Sequence, residues 1–289
     1  MSTFVQLFVN GLAAGVTYAL IGLGLSLVFG VLKIINFAQG EFYMVAGLIV
    51  YTVTNLLGWP YLVGVPIAVA GAALLGWLLA RVYITRLVRF DETATLVGTV
   101  GLSYLMLELA QIVWNPNPKQ TDLPWLNSTV SAGSVHITVQ SLLSAGLALL
   151  TAVVMFAVVY RTPLGRHMRA VAENPFGAAL TGIRVEHVHR LTFTVGVALA
   201  GLAGATAGAA EAVYPTVGQS IILKGFVVVI VAGLGNISGA VWAGLMLGLV
   251  EALGSGYLST AYHDTYGYLV LVLVLAIRPA GLARRKAAL

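Results

Sequence analysis

Nine apolar runs, most of them close to the length of a bilayer crossing, follow one another along this chain, and its basic residues gather in the gaps between them. The runs lie at about 6–32, 40–57, 61–80, 93–113, 141–160, 191–211, 221–236, 237–254 and 266–280. A hydrocarbon core of about 30 Å takes roughly 20 apolar residues as a helix. Lipid offers backbone N–H and C=O groups no partner, so a chain of such runs crosses as helices. Hydrophobic residues make up 59% and charged residues 9% of the chain, where a soluble domain carries about 25% charged. The predicted fold class is an all-α polytopic membrane protein with eight or nine transmembrane helices. Eight applies if 221–254 holds a short re-entrant pair. The longest polar gaps, near 114–139 and 161–190, are too short for a soluble domain, so residues 1–289 read as one transmembrane domain.

The basic residues set an orientation. Arg81, Arg86 and Arg89 follow the third run; Arg161, Arg166, Arg169, Arg184 and Arg190 fill the gap after the fifth; Arg278, Arg284, Arg285 and Lys286 close the chain. With these gaps cytoplasmic, alternation of nine spans places Lys33 inside as well, and only Lys119 and Lys224 fall elsewhere. Basic residues accumulate on the cytoplasmic side, which also accounts for the formal net charge of +5 without nucleic acid. The expected topology has the N-terminus outside and the C-terminus in the cytoplasm. The opening residues lack the basic n-region of a signal peptide, and their apolar run continues to about Leu32, so it reads as a retained helix. The gap 114–139 then lies outside; its Asn, Pro, Ser and Gly mark turns, and Trp114 and Trp125 suit the membrane interface.

Enzyme and metal signatures are missing from the sequence. There is no Cys, hence no thiol nucleophile or disulfide framework. No phosphate-cradling G-x-x-x-x-G-K-[ST], no H-E-x-x-H and no G-x-S-x-G occurs. His187 and His189 are two apart and point to different sides of a helix. No catalytic group, metal or cofactor is expected.

Polar residues inside the apolar runs are the candidates for function, because charge at membrane depth costs about 2.5–3.5 kcal/mol on insertion scales. Glu211 and Glu251 lie near the ends of their runs, whereas Glu108 is deeper. Asn36-Phe37-Ala38-Gln39-Gly40-Glu41 sits between two apolar runs. It reads either as an ordinary tight cytoplasmic turn with Asn36 as N-cap or as irregular backbone at membrane depth, tolerated only when buried in protein or lining a water-filled cavity. The second reading makes Asn36, Gln39, Gly40, Glu41 and Glu108 candidates for a translocation pathway. The glycine pairs Gly11/Gly15, Gly204/Gly208, Gly235/Gly239 and Gly244/Gly248 predict flat helix strips for close packing, or alternatively a mobile interface.

Residues 161–190 predict two short helices. Pro163 suits a first helical position. From there Leu164, Met168, Val171 and Ala172 share one apolar face, while Arg169 and Glu173 form an i,i+4 pair. Asn174-Pro175 interrupts, and a second piece from Phe176 to Thr181 ends at Gly182, expected at positive φ. The loop either lies on the membrane surface or docks into a groove of a cytosolic partner, with Leu164, Met168, Val171 and Ala172 entering the groove and Arg166 and Arg169 pairing with acidic groups.

Three stretches together resemble the permeases of branched-chain amino-acid ABC transporters. The loop, Thr162-Pro163-Leu164-Gly165-Arg166-His167-Met168-Arg169-Ala170-Val171-Ala172-Glu173-Asn174-Pro175 with Ala178-Ala179 and Thr181-Gly182-Ile183, is similar to the family's coupling-loop signature. Asn36 to Phe42 resembles its N-F-A-H-G-E motif, with Gln39 in place of the common His. Lys224-Gly225-Phe226, Gly233 to Ala240 and Arg278-Pro279-Ala280-Gly281-Leu282 resemble the C-terminal half. Length and the early motif favour the LivH-type subunit. The resemblance implies a permease of the bacterial cytoplasmic (inner) membrane, paired in the lipid bilayer with a second permease, LivM-type or a second copy. It implies two cytosolic ATP-binding subunits and an extracytoplasmic substrate-binding protein. Leu164, Gly165, Arg166, Met168, Arg169, Ala172, Glu173, Asn174 and Gly182 would then form the ATPase-coupling loop. The implied function is ATP-driven import of Leu, Ile or Val by alternating access. Alternatives are the same machine for urea, amides or other amino acids, a stand-alone channel or ion-coupled carrier, and a membrane enzyme.

Overall fold

The structure, a computed structural model, describes residues 2–121, 123, 125–126, 128–132, 135–208 and 211–277. The C-terminal basic cluster and the Arg278–Leu282 motif lie outside the described residues. Helices α1 (Ser2–Leu32) and α2 (Gln39–Tyr51) are followed by a π-helical turn at Thr52–Leu56, then α3 (Tyr61–Leu79) and a second π-helical turn, Ala80–Ile84, that runs into α4 (Thr85–Leu87). Next come α5 (Glu92–Trp114), a hairpin of β1 (Thr129–Ala132) and β2 (Val135–Thr138), α6 (Val139–Arg161), α7 (Pro163–Glu173) and α8 (Pro175–Leu180). Helices α9 (Val185–Ala207), α10 (Val217–Ala232), α11 (Ile237–Tyr257), a 3-10 turn at Thr260–Tyr262 and α12 (His263–Ile277) complete the described chain. The fold is an all-α polytopic membrane protein. The antiparallel hairpin, with Thr129 opposite Thr138, is an addition that turn signals alone did not predict.

Among the described residues, seven helices are long and apolar enough to cross a membrane: Thr3–Leu32, Tyr61–Leu87, Thr93–Trp114, Val139–Arg161, Val185–Ala207, Ile237–Tyr257 and Thr260–Ile277. Two of the nine predicted runs are shorter helices. Residues 40–57 become the 13-residue α2 with its π turn, and 221–236 becomes the 16-residue α10. Both sit in the interior. The most apolar window of α1 is 78% buried against 6% for the last span, so α1 is a central helix and α12 a peripheral one. α1, α2, α9 and α10 make the middle of the bundle. α3, α5, α6, α11 and α12 surround it and expose Leu74, Ile112, Leu149 and Val272, as lipid-facing surface requires.

The two halves share one pattern of helix contacts. α1 packs on α9 and α2 on α10; α1 meets α11 as α9 meets α3, α1 meets α10 as α9 meets α2, and α10 meets α12 as α2 meets α5. Transporters commonly build a central site at the junction of such repeats from interrupted helices. Close approach carries the packing. A Cβ on Gly11 would stand 2.9 Å from the Leu249 backbone, and one on Gly15 would stand 2.8 Å from that of Leu245. The Gly11/Gly15 and Gly244/Gly248 strips therefore face each other across the antiparallel α1–α11 contact. Gly204/Gly208 faces α2 and Val213. Gly235/Gly239 is different: Gly235 is in the turn after α10 at φ +80°, and Gly239 donates its N–H to the Asn236 cap, so this pair forms no helix strip.

Candidate functional site

The chain doubles back after α1. Lys33 takes φ +58°, and residues 34–38 return into the bundle, so that the Gln39 side chain lies beside Gly24, well inside the helix that has just ended. A Cβ on Gly24 would stand 2.5 Å from the Gln39 amide nitrogen. The stretch around Asn36 is thus irregular backbone within the bundle. The N-cap position of α2 is Ala38, not Asn36. Asn36 instead accepts the Ala38 N–H through Oδ1 at 3.2 Å and donates Nδ2 to Gln39 Oε1 at 3.0 Å. Gln39 donates Nε2 to the Gly196 carbonyl of α9 at 2.7 Å. Asn36 and Gln39 are fully buried; Asn36 orients Gln39, which bonds α2 to α9 and packs beside Gly24 of α1.

Glu41 follows, also fully buried, in the first turn of α2. A carboxylate near a helix N-terminus gains from the orphan N–H groups there. Ser103 of α5 donates to its Oε1 at 2.9 Å, while Oε2 is buried with no hydrogen-bond partner. Gly40 lies on the Gly218 backbone at the start of α10, where a Cβ would collide, and a Cβ on Gly218 would stand 2.7 Å from Glu41 Oε2. The N-terminal ends of the two short helices therefore meet at Gly40, Glu41 and Gly218. Glu108 is not part of this junction; it is exposed on another face of α5.

A second polar cluster went unrecognised in the sequence. Lys224 of α10 reaches Glu251 Oε2 of α11 at 2.7 Å, Asp264 Oδ1 of α12 at 2.9 Å and the Tyr18 hydroxyl of α1 at 2.9 Å. Tyr18 donates to Glu251 Oε2 at 2.7 Å, and His263 Nε2 is 3.4 Å from the same oxygen. The reading of Glu251 as a residue near a helix end is corrected: its side chain is 1% exposed, and α11 continues to Tyr257. Opposite charges inside two successive apolar runs were the available signal.

The loop folds as two helices. Thr162 caps α7, accepting the Gly165 N–H at 3.2 Å, and Pro163 takes the first position. Asn174 caps α8, accepting the Gly177 N–H at 2.9 Å, and Gly182 turns the chain at φ +85°. The apolar face of α7 points inward. Met168 and Val171 are buried, and Leu164 and Ala172 pack against the permease's own core. This corrects the expectation that Leu164, Met168, Val171 and Ala172 form a free ridge. Arg169 does not pair with Glu173; it donates to the Val159 carbonyl and its guanidinium lies over the Tyr160 ring, pinning α7 to α6. Gly165 sits against the end of α6, where a Cβ would strike the Val158 and Val159 carbonyls. What the loop presents outward is Arg166, His167, Glu173 and Asn174, together with Phe176 and Leu180 of α8, about three-quarters exposed. At the base of the loop Glu186 bridges Arg89 and Arg190.

Among the described residues, no group of three or more His, Cys, Asp or Glu is placed to hold a metal ion.

Comparison with known proteins gives a consistent result. Residues 7–277 match the family model described as branched-chain amino acid transport system / permease component. The chain is 31% identical to the high-affinity branched-chain amino acid transport system permease protein LivH of Escherichia coli K12, over 98% of this chain and 96% of LivH. It is 32% identical to the corresponding permease BraD of Pseudomonas aeruginosa, over 98% and 96%. A probable branched-chain amino acid transport permease protein LivH of Methanocaldococcus jannaschii is 27% identical over 91% and 87%. The chain therefore belongs to the family of permease components of branched-chain amino acid transport systems.

Proposed function

We propose that this chain is the LivH-type permease subunit of an ATP-driven importer of Leu, Ile or Val in a bacterial cytoplasmic membrane. ATP is hydrolysed on two separate cytosolic subunits, a second permease completes the pathway, and an extracytoplasmic binding protein delivers substrate. The observation that carries this reading is the α7–α8 loop. A capped helix pair, fastened to α6 by Arg169, holds Phe176 and Leu180 outward. Two large apolar side chains held clear of both core and bundle are suited to a groove on a soluble partner. A self-sufficient channel or carrier has no use for such a feature. In alternating access, closure of the ATPase dimer pushes α8 and α7 together, and the end of α6 moves with them.

The junction of α2 and α10 is the proposed moving centre of the pathway. Asn36 and Gln39 brace it, Gly40 permits the backbone contact, and the unpartnered oxygen of Glu41 is ready for a hydrogen bond once the helices part. Glu108, exposed on an otherwise apolar helix face, is costly against lipid and is assigned to the side of α5 that meets the second permease or the pathway. Transport by the reconstituted complex tests this. Glu41→Leu is expected to lower the uptake rate at normal assembly, because it removes the one ionisable group at the junction. Unchanged uptake would reduce Glu41 to a packing residue. Transport of leucine in competition with urea and amides separates the substrate alternatives.

Orientation has its own test. The chain has no Cys, so single probes are clean. Asn117→Cys, exposed after α5, is expected to react with an impermeant maleimide in intact cells, and Thr181→Cys, exposed after α8, only after permeabilisation. Labelling of Thr181→Cys in intact cells would place the loop on the wrong side for a cytosolic ATPase.

A further inference from the structure

We propose that the cleft between α6 and α11 is a binding site for an anionic glycerophospholipid, whose headgroup lodges beneath α7. Three adjoining cavities make the site. An apolar groove of about 520 Å³ lies between α6 and α11, walled by Val153, Phe156 and Ala157 on one side and Trp242 on the other, and Arg161 and Ser238 also line it. Away from Arg161 the groove continues over α1 into a small cavity that shares Ala152 and Val241 with it. Toward α7 it adjoins a polar cavity of about 260 Å³ that shares Tyr160 with it and is lined by Ser26, Asn236 and Arg169. Along α6 the series runs from Ala145 to Arg161, which at 1.5 Å per residue is about 24 Å. That is long enough for an acyl chain to pass from a headgroup toward the middle of a hydrocarbon core about 30 Å thick.

Chemistry selects the occupant. The cleft walls are lipid-facing: Val153, Phe156 and Trp242 are exposed. Two guanidinium groups, Arg161 and Arg169, stand at one end only, and a basic pocket between helices at the membrane surface suits an anionic headgroup. The polar cavity also holds an unsatisfied group: Ser26 is fully buried and its hydroxyl has no hydrogen-bond partner. A phosphate or glycerol oxygen supplies that partner, which a second protein's apolar helix does not. Met168 and Ala172 of α7 line the same cavity, so an occupant touches the helix pair proposed to carry the ATPase signal. Only the assignment to the cytoplasmic leaflet rests on the orientation proposed above.

The test is lipid retention. The permease-containing complex, purified in mild detergent from nanodiscs of equal phosphatidylcholine and phosphatidylglycerol, is examined by native mass spectrometry. Phosphatidylglycerol is expected to be retained over phosphatidylcholine. Arg161→Gln should lower that retention about fivefold, the effect of one basic residue at a membrane surface. Ala157→Trp, which fills the groove without changing charge, should lower it comparably. Arg81→Gln, an exposed arginine elsewhere, should not. Equal retention of both lipids, or insensitivity to Arg161→Gln and Ala157→Trp, overturns the site. So does displacement of the lipid by inorganic phosphate, which would make the pocket a phosphate site. Cross-linking of Ala157→Cys to the second permease would give the groove to that subunit and likewise overturn the proposal. Retention is read without ATP or substrate, so failure of the importer reading leaves this result intact, and failure here leaves import untouched.

Discussion

Replacing Phe176 and Leu180 together with Asp is expected to abolish the stimulation of ATP hydrolysis by substrate-loaded binding protein. Both side chains are exposed on α8. Burying a Phe or Leu in a partner's groove contributes about 1.5–3 kcal/mol each. Loss of both, with two carboxylates now facing an apolar surface, removes at least about 3 kcal/mol, more than a hundredfold in affinity. The permease itself should keep its thermal stability, because neither residue packs on the bundle core. Met168→Ala is the informative counterpart. Met168 is 1% exposed and packed inward, so its truncation should cost about 2–5 kcal/mol of the permease's own stability. The measurements are ATPase rate in the reconstituted complex and melting of the isolated permease complex. Full stimulation in the double Asp variant, with assembly normal, would remove α8 as the contact and take the strongest support from the importer reading.

The contrast between those variants marks what the sequence revealed of this loop and what it did not. The start of α7 and the turn after α8 were legible because their causes are local: Pro163 suits a first helical position, and Gly182 takes a conformation other residues avoid; the Thr162 and Asn174 caps were not singled out, and α8 opens at Pro175, one residue before the expected Phe176. The direction of the amphipathic face was not legible. A stripe of Leu164, Met168, Val171 and Ala172 reads identically whether it covers the permease or fits a partner, and only the position of α6 and α1 behind it decides. The same limit applies to α2: the run 40–57 is about as long as a span, and its division into a 13-residue helix and a π turn is a matter of tertiary placement. The 16-residue run 221–236, by contrast, was already short enough in the sequence to allow a re-entrant helix. The Asn36–Glu41 stretch kept two readings open in the sequence; its burial against Gly24 and Gly196 favours irregular backbone enclosed by protein.

Lys224→Met is expected to destabilise the permease by about 3–5 kcal/mol, the usual effect of stripping one partner from a buried ion pair. Glu251 is the reason. Its carboxylate is 1% exposed, and Lys224 is the cation at 2.7 Å from it. Without that cation the Tyr18 hydroxyl remains as the hydrogen-bond donor to it, with His263 Nε2 3.4 Å away. Adding Glu251→Gln to Lys224→Met should recover most of the loss, since a neutral amide accepts from Tyr18 and carries no charge to desolvate. Glu251→Gln alone should be milder than Lys224→Met, because Lys224 then keeps Asp264 at 2.9 Å. Asp264→Asn should be the mildest of all: its side chain is 63% exposed, and water replaces what the pair supplied. The order expected in thermal melts is therefore Lys224→Met lowest, the double variant well above it, and Asp264→Asn nearest wild type. A double variant no more stable than Lys224→Met would show that the lysine acts through its contact with the Tyr18 ring, 4.9 Å away, rather than through charge. The expected order would instead establish the pair as the electrostatic tie that holds α10 and α11 together, with Asp264 extending it to α12, a helix otherwise little buried at the edge of the bundle.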